Sequence, residues 1–175
     1  MDDAYRFARA APGEEYVYGA AAPGWHSAVD HETAVSAWVQ FMREREIARV
    51  CSLVPGAGAD GFQYNLDRYV ATFGAQNVVH APLLDRRLGD SRVLRETILP
   101  FLEESVRERE PVVVHGLSGL GRTGQVLAAW LVYGRGYGPE SAIETVEEMG
   151  RFPAEPVASG AVTEEALYAH LATFG

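Results

Sequence analysis

The stretch VVVHGLSGLGRTGQVLAAWLV, at positions 112–132, constrains the fold more than any other part of the sequence. It begins with apolar β-branched residues, passes through a glycine-rich turn and continues into a second apolar run. Because the first segment is apolar at every position, both faces of the strand must be covered, as in a parallel sheet. The stretch therefore predicts a buried strand ending at His115, a turn, and a helix from about Thr123 to Gly134.

Strand and helix patterns alternate along the rest of the chain. Further strands are predicted within 14–26, at 47–54 and at 77–84, and further helices at 30–46, 64–74, 90–110, 138–150 and 163–174. Asp30 is placed to cap the first helix, and Pro100 to kink the third unless the helix restarts there. This order predicts an α/β fold with a mostly parallel central sheet of four to five strands, flanked by helices on both faces.

The composition limits the possible partners. The 175 residues fit one domain, 1–175, and the formal net charge is −9, with no lysine in the chain. A nucleic-acid-binding protein needs a basic face, which this composition does not supply, so no nucleic acid is expected as a partner. No apolar run reaches the roughly 20 residues of a membrane helix, and no signal peptide is recognisable. We therefore expect a cytoplasmic protein with no membrane partner.

Metal and disulfide chemistry find little support in the sequence. Cys51 is the single cysteine and lies in an apolar run, which indicates a buried strand residue and excludes an internal disulfide. His26, His31, His80 and His170 show no metal-ligand spacing with one another. No metal and no cofactor are expected.

The turn after His115 has the features of a phosphate-binding loop. Its glycines permit unusual backbone angles, so that amide N–H groups can converge, and the following helix N-terminus adds partial positive charge. Arg122 adds a guanidinium group that can bind two oxygens at once. The phosphate-binding residues predicted in this way are Leu117, Ser118, Gly119, Leu120, Gly121 and Arg122.

Two other phosphate-binding motifs fit less well. The segment GLGRTG satisfies the dinucleotide pattern G-x-G-x-x-G, but it lies in the last third of the chain. Too little sequence follows it for the remaining strands, and no strand with an acidic end follows about 20 residues later. A nucleotide-triphosphate loop requires lysine, which the chain lacks.

The segment VVVHGLSGLGRTG resembles the signature of the cysteine-dependent protein tyrosine and dual-specificity phosphatases. That signature has an apolar strand, a histidine, the nucleophilic cysteine, five loop residues, an arginine, and serine or threonine. His115, Arg122 and Thr123 are in register with it, and Gly116 occupies the nucleophile position. The resemblance implies that His115 holds the loop, whereas Thr123 either steadies the nucleophile and leaving group or caps the helix.

A second segment, VVHAPLLDRRLGD, is similar to the loop that carries the general acid in small dual-specificity phosphatases. Asp85 is in the acid position, 31 residues before Gly116 (116 − 85), and Asp90 is an alternative in the same loop. Such an acid protonates the leaving oxygen. The resemblance spans roughly residues 16–149.

Glycine at position 116 removes the group that attacks phosphorus in this family. The Ser118 hydroxyl has no evident base or route to attack, so it is not expected to replace the cysteine. We expect a domain that binds a phosphorylated protein, a small phosphomonoester, phosphate or sulfate, with hydrolysis lost or nearly lost. The glycine is compatible with a natural pseudophosphatase or with a Cys-to-Gly substitution made to trap substrate. The alternative is a non-catalytic protein-interaction module that keeps the loop as scaffold.

Overall fold

The strands of the described residues form one mixed sheet. The computed structural model describes residues 4–25, 28–55 and 62–175, and within them five strands lie in the order β1-β2-β5-β3-β4. Their bounds are β1 Ala8–Arg9, β2 Val17–Ala20, β3 Arg49–Ser52, β4 Val78–His80 and β5 Val112–His115. β1 pairs with β2 antiparallel, and all other pairs are parallel. The mostly parallel sheet is confirmed; the short edge strand β1 is not among the predicted strands.

Strand β5 lies in the middle of the sheet because it can be covered on both faces. All four of its residues are buried, and Val114 pairs with Gly19 on one side and Cys51 on the other. Burial raises the pKa of the Cys51 thiol to about 12, so the side chain stays a neutral thiol at physiological pH. The sequence-based interpretation of Cys51 as a buried strand residue is confirmed.

Helices cover both faces of the sheet. On one face, residues of α1 pack against Val50 and Val113, and on the other, α5 packs against Val112 and Val114. The helices are α1 His31–Glu44, α2 Phe62–Phe73, α3 Ser91–Val93, α4 Leu99–Arg107, α5 Gly121–Arg135, α6 Pro139–Glu148, α7 Glu155–Ala158 and α8 Glu164–Ala172. Asp30 caps α1 as predicted, by accepting a hydrogen bond of 3.0 Å from the Thr33 N–H.

Pro100 is accommodated by a change of helical register. A π-helical turn, Leu94–Ile98, joins α3 to α4, and the Leu99 N–H bonds to the Leu94 carbonyl. Pro100 then lies in the first turn of α4, where an N–H group has no intrahelical partner and its absence costs little. The helix restarts at the proline, which was the second of the two outcomes predicted for this segment.

The core beneath α1 holds the end of β5 in place. Trp38 is fully buried, its ring centroid lies 5.2 Å from that of Tyr69 and 5.3 Å from that of His115, and its indole N–H donates to the Ala21 carbonyl at 2.9 Å. Packing between α1 and the sheet therefore fixes His115, the residue from which the glycine-rich turn starts.

Substitution of Trp38 tests this packing. We expect Trp38→Ala to lower the free energy of unfolding by about 3–5 kcal/mol, because it leaves a cavity and an unpaired carbonyl. Leu84→Ala, at a side chain that is 61% exposed, is the control and should change it by less than about 0.5 kcal/mol. Urea denaturation measures both free energies of unfolding. Equal effects of the two substitutions would contradict the role of Trp38 as a core residue.

Candidate anion-binding site

The candidate site lies at the carboxyl end of the central strand. β5 ends at His115, α5 begins at Gly121, and the turn between them forms the floor of a cavity of about 180 Å³. The loop predicted from the sequence is therefore brought together with residues from three other segments. The cavity is lined by Trp25, Asp85, Arg86, Gly116, Leu117, Ser118, Gly119, Leu120, Gly121, Arg122, Thr123 and Glu155.

Gly119 is required by the path of this turn. Its φ is +79°, and a Cβ atom on it would lie 2.8 Å from backbone atoms of Ala20 and Ala21. The same contact region includes a 2.9 Å hydrogen bond from the Ala22 N–H to the Leu117 carbonyl. The turn thus packs its backbone directly on the chain leaving β2, which only glycine at 119 permits.

Two arginines bind carbonyl groups of the turn. Arg151 is buried and donates to the carbonyls of Gly119 and Gly19, both at 2.8 Å, and Arg6 donates to the Ser118 carbonyl at 2.9 Å. Burial, and secondarily the charge of Arg6, lowers the pKa of Arg151 to about 10, so it remains cationic near neutral pH. Sequence reasoning did not identify Arg151 or Arg6, because neither belongs to a local motif.

The turn offers several backbone donors. The N–H groups of Leu117, Ser118, Gly119, Gly121 and Arg122 donate to no acceptor among the described residues. Consecutive amides of this kind, together with the N-terminus of a 15-residue helix, favour a bound anion.

The Arg122 side chain is held at the edge of this cavity. It is only 7% exposed, its Nη1 donates to the Leu83 carbonyl at 3.2 Å, and its Nε lies 3.6 Å from Asp85 Oδ1. The guanidinium also passes close to Gly116, since a Cβ atom there would lie 3.6 Å from Nε. A buried guanidinium over a row of free amides can bind two oxygens of one anion.

The two candidate general acids, Asp85 and Asp90, lie in different surroundings. Asp85 lines the cavity, and its side chain is 57% exposed. Asp90 instead caps α3, where it accepts hydrogen bonds from the N–H groups of Arg92 and Val93. The loop between them is fixed by Gln125, which donates to the Arg87 carbonyl at 2.7 Å and accepts from the Gly89 N–H at 2.8 Å. The geometry thus favours Asp85 over Asp90.

His115 lies beneath the turn as a neutral group. Its Nδ1 is 2.9 Å from the Gly116 carbonyl and its Nε2 is 3.1 Å from the Tyr69 hydroxyl, so Nδ1 carries the proton and Nε2 accepts from Tyr69. Burial, opposed by the hydrogen bond to Gly116 and assisted by the charge of Arg122, lowers the pKa of His115 to about 4. His115 therefore connects the turn to α2 without adding charge.

Thr123 contacts position 116. Its Oγ1 accepts a 3.0 Å hydrogen bond from the Gly116 N–H, whereas the N-cap of α5 is Leu120, which makes no side-chain bond. The alternative that Thr123 caps the helix is therefore wrong. Thr123 lies within the first turn of α5, and its hydroxyl group binds the Gly116 N–H at the start of the glycine-rich turn. Ser118 Oγ accepts from the Leu120 N–H at 3.3 Å.

Position 116 has room for a side chain. A Cβ atom on Gly116 would meet Thr123 Oγ1 at 3.5 Å and two Arg122 atoms at 3.6 and 3.8 Å, which are ordinary van der Waals contacts. The backbone of the turn does not depend on glycine at this position.

Glu155, at the start of α7, is a further residue of the cavity that sequence reasoning missed. Its pKa is raised by burial first, then by the charge of Asp85 and by a hydrogen bond that protonated Glu155 donates to Asp85, against the opposing charges of Arg86 and Arg122. Two carboxyl groups therefore share the mouth of the cavity.

In residues 4–25, 28–55 and 62–175, no three His, Cys, Asp or Glu side chains are grouped to hold a metal ion. Over the same residues, no helix combines the length and the apolar character needed to cross a membrane.

Gly119→Ala tests whether the close approach of the turn to β2 shapes the site. The matched control is Gly136→Ala, which has a similar φ of +72° but nothing within 4 Å of the added Cβ. We expect the control to lose about 1–2 kcal/mol for its left-handed backbone and to keep its sulfate affinity. Gly119→Ala should lose more stability and most of the affinity, measured by urea denaturation and titration calorimetry. Equal behaviour of the two variants would contradict this account.

Comparison with known proteins identifies the family of this chain. Residues 26–136 match the family model described as Tc-R-P, polymorphic toxin system, DSP-PTPase phosphatase. The dual specificity protein phosphatase OPG106 of monkeypox virus is 30% identical over 67 residues, which is 38% of this chain and 39% of that protein. The matched segment thus spans well under half of the curated relatives' length.

Solved phosphatase structures share the whole fold. Tk-PTP in its active form is 27% identical, with a TM-score of 0.65 over 91% of this chain and 90% of that one. PTPMT1 in complex with PI(5)P, at 14% identity, has a TM-score of 0.70 over 96% of each chain and shows likeness of fold alone. Since the family model covers most of the chain, this protein belongs to the DSP-PTPase phosphatase family of polymorphic toxin systems.

Proposed function

We propose that this chain is a phosphomonoester-binding domain in which the hydrolysis typical of its family is lost or nearly lost. The observation that carries the proposal is the cavity in which the loop 116–122 and the buried Arg122 lie together. The ligand class is a phosphorylated protein or a small phosphomonoester, with free phosphate or sulfate as simpler occupants. No cofactor or nucleic acid is part of the proposal, and the location expected from the sequence is the cytoplasm.

Local charge supports anion binding despite the net charge of −9. Arg122 is almost fully buried, where its charge is poorly screened by water. Arg151 and Arg6 bind carbonyls of the turn from behind, which adds positive charge close to the cavity floor. The carboxylates elsewhere on the surface act on an anion here at longer range and through water, whereas Asp85 and Glu155 at the mouth of the cavity offset part of this positive charge directly.

The loss of turnover follows from the chemistry of position 116. In the family a cysteine thiolate attacks phosphorus, and water then hydrolyses the cysteinyl phosphate. Glycine has no nucleophilic atom, and the Ser118 hydroxyl is hydrogen-bonded to the Leu120 N–H. Loss of the nucleophile from a catalytic unit commonly reduces the rate by orders of magnitude. Asp85, the proposed general acid, is then left without a leaving group to protonate.

The relatives support the ligand class. The curated viral relatives are named dual specificity protein phosphatases, and one fold neighbour, TpbA, is described in complex with pTyr. The family description also names a DSP-PTPase phosphatase, which agrees with a phosphomonoester as the ligand class.

Anion binding can be tested at Arg122. We expect Arg122→Ala to weaken phosphate or sulfate binding by at least about a hundredfold, since it removes two charge-assisted hydrogen bonds. The control Arg92→Ala removes the same charge from a side chain that is 83% exposed and should change the affinity by less than about twofold. Titration calorimetry measures both. Equal affinities of wild type and Arg122→Ala would contradict the proposal and favour the interaction-module alternative.

Turnover can be restored at position 116. Because a Cβ fits there without displacement, we expect Gly116→Cys to fold and to hydrolyse an aryl phosphate orders of magnitude faster than the wild type. Gly116→Ser, of similar size but with a far less acidic hydroxyl, is the matched control and should stay near the wild-type rate. A Gly116→Cys variant that folds and binds sulfate yet remains inactive would show that 116 is not a nucleophile position.

A further inference from the structure

The Glu155 carboxyl group is held at a fixed place beside the turn. Two contacts just before it anchor its segment: the Phe152 N–H donates to the Leu120 carbonyl at 3.0 Å, and Arg151 donates to the Gly119 carbonyl at 2.8 Å. Glu155 follows as the first residue of α7 and lines the cavity. Its position is therefore set by the same residues that shape the anion-binding loop.

The carboxyl group of Glu155 occupies the space that a side chain on Gly121 would need. A Cβ atom on Gly121 would lie 2.9 Å from Glu155 Oε1 and 3.2 Å from Oε2. The carboxylate thus packs directly against the first residue of α5, at the helix end where a bound anion is favoured. Glycine at 121 makes this contact possible.

The charged groups facing Glu155 are mixed in sign. They are the Asp85 carboxylate from the loop after β4, its neighbour Arg86, and Arg122 from α5. Burial and Asp85 together outweigh the two arginines, so the pKa of Glu155 is raised above its ordinary value. A dianion placed in the cavity would add further negative charge and would raise this pKa again.

We propose that Glu155 takes up a proton when a tetrahedral dianion binds, so that its carboxyl group, held beside the turn and the Asp85 carboxylate, no longer opposes the anion with a negative charge. This inference rests on the proposed anion-binding function and adds a residue to it. Without the proton, Glu155 and Asp85 would both face the anion as carboxylates. With it, one of the two repulsive contacts is removed.

Proton uptake by Glu155 determines how the anion affinity changes with pH. Below the pKa of Glu155 in the free protein, the group is already protonated and binding does not depend on its ionisation. Above that pKa, and up to the higher pKa of the complex, each binding event takes up a proton from solution. In this interval the affinity falls about tenfold for each unit that the pH rises.

Sulfate is the suitable probe, because it stays a dianion near neutral pH and cannot supply a titration of its own. Calorimetry from about pH 5 to about pH 8, in two buffers of different ionisation enthalpy, gives the protons taken up. The wild type should take up as much as about one proton per sulfate and Glu155→Gln close to none. At the upper end of the range, Glu155→Gln should bind sulfate about three- to tenfold more tightly, since one negative charge is gone.

Further variants separate this role from a structural one. Glu155→Asp keeps the carboxyl group and should keep proton uptake, whereas Glu148→Gln, at the exposed end of α6, should behave as the wild type. Equal proton uptake in wild type and Glu155→Gln, or its loss only in Asp85→Asn, would overturn the inference while leaving anion binding intact. Absence of sulfate binding to the wild type would instead contradict the proposed function on which it rests.

Discussion

The contact between the glycine-rich turn and the end of β2 is the constraint on which the site depends. Gly119 lies so close to the Ala20 and Ala21 backbone that no side chain fits between them. Arg151 closes the same contact from below by bonding to carbonyls of both Gly119 and Gly19. Because carbonyl groups of the turn are bound outside the cavity, its peptide groups are fixed in the folded protein. The entropic cost of ordering the loop is therefore met on folding, and a ligand does not have to meet it on binding.

Burial decides which charges matter in this acidic protein. Arg122 and Arg151 are nearly inaccessible to water, while Asp85 is more than half exposed. A buried guanidinium acts on a nearby anion through a medium of low dielectric constant, but an exposed carboxylate is screened. The formal net charge is therefore a poor guide to the cavity, where the buried Arg122 stands beside the carboxyl groups of Asp85 and Glu155. The same reasoning singles out Glu155, whose partial burial next to Asp85 makes its ionisation sensitive to an added charge.

The sequence predicts those features that are local and leaves out those that depend on distant contacts. The strand, the turn and the helix around Arg122 were recognisable because β-branched residues, glycines and a single cation follow one another directly. Asp85 could be placed near the turn by its resemblance to an acid loop, but only the structure separates it from Asp90, which caps α3. Arg151 and Glu155 were missed because their partners are distant in the sequence, 32 and 132 residues away for Arg151, and no pattern around them indicates a ligand. The edge strand β1 is too short to leave a periodic signal.

The architecture of the site is independent of the residue at position 116. The contacts that shape the turn are made by the backbone of 117–120, by Thr123 on the Gly116 N–H and by His115 on the Gly116 carbonyl, and none uses a side chain at 116. Under the proposed function, a side chain at position 116 would therefore change the chemistry of the site and leave the contacts of the turn in place. A thiolate in that place would also bring negative charge next to an incoming dianion, so its absence favours retention of the ligand. Under the proposed function, such a cavity would hold a phosphorylated group and would not turn it over.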